Sequence, residues 1–144
     1  MTNWNRIVVG VDGSKESRAA LEWACELADQ RGAEVVAVTT WTVPPQPTDP
    51  PYGSFPWGNS VDFTESSRQL LAEAVADVAT AHSKVKISQH VAAGNAAAVL
   101  IEFSKEADLV VVGAKGHGGF TGMLIGSVSQ HVLAHSACTV VVVR

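Results

Sequence analysis

Short apolar runs alternate with segments of helical periodicity along most of the chain. Residues 7–11 (IVVGV) form an apolar run closed by the turn-forming tripeptide DGS, which predicts a buried strand and a turn. Apolar residues then recur at helical spacing as far as Gly32, and Ser14 or Ser17 can cap the start of this helix. Residues 34–40 (EVVAVTT) are predicted as the second strand. The first forty residues therefore predict a β-α-β unit.

The same alternation continues to the end of the chain. The predicted helices cover residues 61–81, 96–105 and 127–135, and the predicted strands cover residues 84–91, 109–112 and 139–143. Strands that alternate with helices predict a parallel sheet with right-handed crossovers and helices on both faces. A single domain over residues 1–144 is expected, because the pattern contains no repeat.

One segment interrupts the alternation. All six prolines lie between positions 44 and 56, together with Tyr52, Phe55 and Trp57. Proline removes a backbone donor and fixes φ, so this stretch can form neither a helix nor a central strand. An insertion or flap over about residues 42–61 is expected.

Composition narrows the class of protein. Only 17% of the residues are charged and 22 of 144 are valine, so strands buried on both faces are expected. The net charge is −4 and the ten cations are scattered, which disfavours nucleic acid as a partner. No apolar run is long enough for a membrane span, and the first ten residues lack the features of a secretory signal. A cytoplasmic protein is expected, with Cys25 and Cys138 as small core residues in a reducing compartment.

Two strands are the natural central pair of the sheet. Residues 7–11 and 109–112 are the most apolar runs of the first and middle parts of the chain, and their carboxyl ends carry DGS and GAKG. In doubly wound sheets, ligands bind outside the carboxyl ends of the strands, where the strand order reverses. A crevice at these two turns is therefore the predicted site.

The loop after the second of these strands is rich in glycine. Six of the twelve glycines lie within residues 113–126, and the helix begins at Gly126-Ser127-Val128-Ser129. Such a loop brings backbone N–H groups close to a ligand, and a helix start attracts an anion, most often phosphate. The alternative is that the glycines only permit a tight connection and that Ser127 is an ordinary N-cap.

Motifs of several enzyme classes are missing. The chain has no Gly-Lys dipeptide for a Walker loop, no GxGxxG in the first turn and no GxSxG elbow. His131 and His135 have the spacing of a metal pair, but Val132 replaces the glutamate of HExxH, so a pair on a helix surface is the preferred interpretation. No catalytic constellation is identified.

The glycine-rich loop also resembles a family signature. Gly113-Ala114-Lys115-Gly116, nine further residues and Gly126-Ser127 match the Gly-x2-Gly-x9-Gly-Ser/Thr pattern of the ATP-binding universal stress proteins. The opening IVVGVDGS and the ending from ADLVVVG to TVVVVR resemble the same family, so the likeness covers nearly the whole chain. It implies a Rossmann-like open five-stranded parallel sheet of order 3-2-1-4-5 that binds ATP, often in a homodimer.

The resemblance implies roles for residues after the first two strands. Asp12 would lie near the ribose and phosphates or their metal ion, Mg²⁺ or Mn²⁺, and Gly10 and Val11 would let the nucleotide lie against the strand end. Thr40 matches the position whose backbone reads the adenine edge. From the residues alone, Asp12 is also a turn residue that caps the first helix, and the two roles are compatible.

The resemblance assigns the phosphates to the second turn. Gly113 would pack near the ribose, and Gly116 and the loop after it would surround the phosphates. Lys115 stands where many relatives have arginine and lacks its bidentate fork, so its grip on phosphate is expected to be weaker. His117 can contact a phosphate or remain a solvated loop histidine. Hydrogen bonds from the helix start would come from Ser127, Val128 and Ser129.

The last strand, TVVVV at residues 139–143, is expected at the sheet edge although it is apolar on both faces. Such an edge favours pairing, and the family commonly forms a two-fold dimer through it, so a homodimer is expected. The overall prediction is an ATP-binding stress-response module with slow turnover at most. The alternatives are a sensor of AMP or cyclic AMP and a nucleotide-free dimeric interaction protein. An adenylate-forming enzyme is disfavoured because HIGH and SGGxDS are absent.

Overall fold

A computed structural model describes residues 3–42, 63–115 and 125–144. Strands and helices alternate strictly through these ranges. The strands are β1 (Arg6–Gly10), β2 (Glu34–Trp41), β3 (Ile87–Ala93), β4 (Leu109–Gly113) and β5 (Thr139–Val143). The helices are α1 (Lys15–Arg31), α2 (Thr64–Ala79), α3 (Ala96–Ser104) and α4 (Ser127–His135).

All four strand pairs are parallel, and the strand order is β3-β2-β1-β4-β5. The predicted fold class is therefore confirmed, including the central pairing of β1 with β4. The proline-rich insertion expected at about residues 42–61 lies outside the described residues from position 43 onwards.

Several predicted element boundaries are wrong by one to three residues. β3 begins at Ile87 and not at position 84, because Val85 N donates to His82 O in a turn that follows α2. β1 begins one residue early at Arg6, whose guanidinium Nε lies 2.9 Å from Glu34 Oε1 on the neighbouring strand. β2 runs one residue further than predicted, to Trp41, and α2 begins at Thr64.

The sheet separates two layers of apolar side chains. α1 and α2 pack on one face against Ile7 and Val9, whereas α3 and α4 pack on the other face against Val8 and Val110. Successive residues of a strand point to opposite faces, so β1 and β4 supply both layers. Burial on both faces explains their continuous apolar sequence. In the described ranges, no helix is both long and apolar enough to span a membrane.

Helix α1 begins at one of its two predicted caps, Ser14 and Ser17, and ends at the predicted glycine. Ser14 is the N-cap, and its side-chain oxygen accepts a hydrogen bond from Ser17 N at 3.1 Å. Gly32 ends the helix in the left-handed conformation with φ of 68°. These caps fix where the polypeptide leaves β1 and returns to β2.

Cys25 lies on the buried face of α1 and is completely inaccessible, whereas Cys138 is half-buried beside α4. Both thiols are free. The prediction of a core residue is therefore confirmed for Cys25 and only partly for Cys138. Burial, assisted by the charge of Glu22, raises the pKa of the Cys25 thiol to about 11.

Alkaline pH is expected to destabilise the fold through Cys25. An unfolded thiol ionises near pH 9, so between pH 9 and 11 the unfolded state binds fewer protons than the folded state. The contribution is fully present below pH 9 and is lost as the pH rises through 11, for a total of about 3 kcal/mol. Urea unfolding of the wild type and of Cys25→Ala at pH 8 and pH 10.5 tests this. The free energy of unfolding is expected to fall more between these two pH values in the wild type than in the variant. Parallel pH dependence of the two proteins would contradict the assignment.

Candidate functional site

The carboxyl ends of β1 and β4 lie side by side at the centre of the sheet. After β1 the chain turns into α1 on one face, and after β4 it continues to α4 on the other face. This arrangement places two turns and two helix starts around the gap between the strand ends. The predicted switch point therefore lies between β1 and β4, as expected for a doubly wound sheet.

The turn after β1 is organised by Asp12. Its Oδ1 accepts hydrogen bonds from Ser14 N at 2.9 Å and from Ser14 Oγ at 2.5 Å, and its own N–H donates to Ser17 Oγ at 3.3 Å. Ser14, not Asp12, is the helix cap, so the sequence-based alternative role of Asp12 is corrected: the carboxylate holds the capping residue. Gly13 has φ of 85°, which favours glycine in this turn. An exposed carboxylate is thereby fixed at the strand end.

The backbone of Val11 is held by β2. Val11 N donates to Val38 O at 2.8 Å, and the buried hydroxyl of Thr39 donates to Val11 O at 2.7 Å. Thr39 is a supporting residue that the sequence did not single out, although two threonines at the end of an apolar strand were a usable signal. Thr40 is half-buried and pairs with Ala92, one residue before β2 ends. Its side chain lies on the opposite face of the sheet from that of Thr39.

Two glycines end the central strands, and both are close to helices. A methyl carbon added to Gly10 would lie 2.9 Å from Leu100 Cδ1, the end of a side chain on α3. One added to Gly113 would lie 2.6 Å from the carbonyl carbon of Glu16, which is backbone of α1. The absence of a side chain at Gly113 is thus already required by the packing of α1. The predicted ribose contact of this residue stays a prediction.

The start of α4 is fastened to the end of β4 by two hydrogen bonds. Gly126 N donates to Ala114 O at 2.5 Å, and Ser129 Oγ donates to Gly113 O at 2.5 Å. Gly126 is the N-cap, so the alternative in which Ser127 caps the helix is wrong. An N-cap residue has an extended backbone, and it is Gly126 that is extended, with φ of −76° and ψ of 168°. Ser127 is the first residue of the helix itself.

The residue that caps the start of α4 has no side chain. Among the described residues, no side-chain oxygen caps α4 or α2, whereas Ser14 caps α1 and Asn95 caps α3. The N–H groups of the first turn have no intrahelical acceptor and carry the positive end of the helix dipole. Ser127 and Val128 are exposed there. This geometry can accept an anion from solvent through backbone N–H groups alone.

The remaining predicted residues divide into described and undescribed ones. Lys115 is half-buried two residues after β4, and Gly116 and His117 lie outside the described residues. His131 and His135 are exposed, with ring centroids 4.8 Å apart, as expected for a surface pair. Within residues 3–42, 63–115 and 125–144, no three His, Cys, Asp or Glu side chains cluster as a metal site.

Comparison with known proteins identifies the family. The model of the universal stress protein family matches residues 3–144. The chain belongs to the universal stress protein family. A universal stress protein of Mycolicibacterium smegmatis is 39% identical over 138 residues, which are 96% of this chain and 45% of that protein. This universal stress protein chain thus spans less than half the length of such curated relatives.

Solved structures of universal stress proteins share the fold. The structure of a universal stress protein in complex with cAMP has a TM-score of 0.72 and 28% identity, and the match covers 99% of this chain and 98% of that one. The Archaeoglobus fulgidus universal stress protein in complex with dAMP has a TM-score of 0.70 and 20% identity, with 99% of each chain covered. The second likeness concerns the fold alone.

Proposed function

We propose that this universal stress protein binds an adenine nucleotide, with ATP as the preferred ligand, between the carboxyl ends of β1 and β4. The observation that carries the proposal is the start of α4. As far as the described residues go, its glycine cap leaves the N–H groups of Ser127, Val128 and Ser129 without a side-chain cap, next to the end of β4. Backbone donors and a helix dipole suit phosphate oxygens. They also explain how a chain of net charge −4 can hold a polyanion.

The other parts of the nucleotide are proposed to lie at the remaining strand ends. Gly10 and Val11 provide backbone at the end of β1, and Thr40 lies near the end of β2, the next strand of the sheet. An adenine at Thr40 and phosphates at α4 would span the switch point. The 28% identical structure holds cAMP, which supports a nucleotide ligand for this chain.

A divalent cation, Mg²⁺ or Mn²⁺, is proposed to accompany the triphosphate. Asp12 supplies a carboxylate at the end of β1, and such hard oxygen donors suit both ions. The described residues contain no cluster of three metal-ligating side chains. The phosphate oxygens would therefore provide most of the ligands of the ion. The ion would neutralise phosphate charge near Asp12 and so reduce the repulsion between the carboxylate and the phosphates.

The proposed action is regulatory binding and not turnover. The sequence has no Walker loop, GxSxG elbow or HExxH motif, and the Ser14 hydroxyl that donates to Asp12 Oδ1 is buried as the cap of α1, so hydrolysis would be slow at most. We place the protein in the cytoplasm, where a reducing environment keeps Cys25 and Cys138 as thiols.

Titration decides between the candidate ligands. ATP, ADP, AMP and cyclic AMP are titrated calorimetrically with and without Mg²⁺, after nucleotide that co-purifies has been removed and identified. Tightest binding of ATP, strengthened by Mg²⁺, is the expected result. Tighter binding of AMP or cyclic AMP would favour the sensor, which the cAMP-bound relative specifically supports. Absence of any binding would contradict the proposed function and favour a nucleotide-free interaction protein.

A homodimer through β5 is also proposed. In the described part of the chain, β5 pairs with β4 on one side and has no neighbouring strand on the other, and Val140 to Val143 are half-buried. Ala114 N donates to Val143 O, so the backbone groups of Val143 point towards β4. Because these groups alternate along a strand, the N–H of Val142 points to the open edge.

Val142→Pro is expected to convert this dimer to a monomer. Proline removes an outward donor, and its placement on an edge strand preserves the pairing with β4. Light scattering measures the mass, and Val142→Ala controls for loss of the valine side chain, which packs against the α3 and α4 layer. The interface is wrong if the proline variant is a folded dimer.

A further inference from the structure

Ser129 occupies an unusual position for a serine at a helix start. It is only 3% exposed, although it lies in the first turn of α4 with the exposed Ser127 and Val128. Its hydroxyl donates to Gly113 O at 2.5 Å, the last carbonyl of β4. The side chain thus points into the protein and towards the strand.

A serine hydroxyl has one proton to donate. Phosphate oxygens that are ionised only accept hydrogen bonds, so Ser129 Oγ cannot donate to a phosphate while it donates to Gly113 O. Releasing the strand carbonyl would leave a buried acceptor without its partner, which is costly. The backbone N–H of Ser129 is not involved in this bond and keeps its direction along the helix axis.

Gly113 connects β4 to both α4 and α1. Its carbonyl accepts from α4 through Ser129, and its Cα lies against the backbone of Glu16 in α1. The neighbouring Ala114 O accepts from Gly126 N, so two successive carbonyls at the end of β4 hold the first turn of α4. The direction of the N–H groups in the first turn of α4 is therefore set by the strand end before any ligand arrives.

From these contacts we propose that Ser129 is a positioning residue, whose hydroxyl clamps the start of α4 to β4 and does not contact the phosphates. This inference rests on the proposed nucleotide binding and divides the helix start into two parts. The N–H groups of the first turn bind the anion, and the Ser129 side chain fixes their direction. Preorganised donors need no reordering on binding, which favours affinity.

The test uses Ser129→Ala and Ser129→Thr in the full chain. Ser104→Ala is the matched control, because Ser104 is also a buried serine, 1% exposed, that donates to Ile101 O and accepts from Ala137 N at the other end of α4. Hydrogen exchange by NMR is measured without ligand at the Gly126 and Ala137 amides. ATP and adenosine affinities are measured for each protein.

In Ser129→Ala we expect faster exchange at Gly126 and about three- to tenfold weaker ATP binding, with adenosine binding unchanged. Ser129→Thr, which keeps a hydroxyl, is expected to restore both properties. Ser104→Ala is expected to speed exchange at Ala137 and to leave the ratio of ATP to adenosine affinity at its wild-type value.

Two outcomes would overturn the positioning role. Weaker ATP binding with unchanged exchange at Gly126 would mean that the hydroxyl contacts phosphate directly. Unchanged ATP binding would mean that the clamp has no influence on the ligand. Failure of the proposed function is distinguishable, because the wild type itself would then bind no ATP, and the positioning role would fall with it.

Discussion

Gly113→Ala is expected to destabilise the protein by about 3 kcal/mol, because the new methyl group would meet the backbone of α1. The added carbon would lie 2.6 Å from the carbonyl carbon and 2.8 Å from the carbonyl oxygen of Glu16. A backbone segment in the first turn of a helix cannot move aside without shifting the whole helix. Urea unfolding measures the loss of free energy.

Gly10→Ala is the matched control for this effect. Gly10 ends β1 as Gly113 ends β4, but its added methyl would meet only Leu100 Cδ1, at 2.9 Å. Since a leucine side chain can change rotamer, a loss of about 1 kcal/mol is expected. Equal stability of Gly113→Ala and the wild type would refute the close packing of α1 on β4.

Gly126→Asp is expected to stabilise the fold slightly and to abolish ATP binding. The φ of −76° and ψ of 168° at Gly126 are an extended conformation that other residues also adopt, and an aspartate there would cap the N–H groups of α4 and complement its dipole. The expected gain is about 0.5 kcal/mol in the free energy of unfolding. The same carboxylate would repel phosphate and occupy its donors, so a loss of about 100-fold or more in ATP affinity is expected.

The combination of higher stability and lost binding separates a site effect from misfolding. Gly126→Asn is the control, since it caps the helix with nearly the same shape but without charge. Its stability should be close to that of Gly126→Asp, and its ATP affinity should lie between those of Gly126→Asp and the wild type. ATP affinity that survives Gly126→Asp would exclude the start of α4 as the phosphate site.

Local sequence patterns predicted where the helices and strands lie. They did not predict the contacts that set some of the boundaries. Ser14 and Gly32 marked the ends of α1 correctly because capping depends on residues close in sequence. The alternating residues of KVKISQHV suggested a strand from position 84. The hydrogen bond from Val85 N to His82 O instead places the start of this segment in a turn, and β3 begins at Ile87. Such a boundary depends on how α2 ends and not on the strand pattern.

The sequence predicted which strand ends lie together at the candidate site. Apolar runs and glycine spacing identified the ends of β1 and β4, and family resemblance supplied the strand order. The partners of Gly113 were not predictable, because Glu16 and Ser129 reach it only through the packing of α1 and α4 on the sheet. The bond from Thr39 to Val11 O is likewise a tertiary contact between neighbouring strands.

The central claim is that phosphate binds to backbone N–H groups at the start of α4. Two-dimensional NMR of the ¹⁵N-labelled protein, titrated with ATP and separately with adenosine, tests it most directly. The claim predicts that ATP shifts the amide resonances of Ser127, Val128 and Ser129 strongly, and that adenosine leaves them nearly unchanged. ATP binding that leaves these three amides unshifted would contradict it.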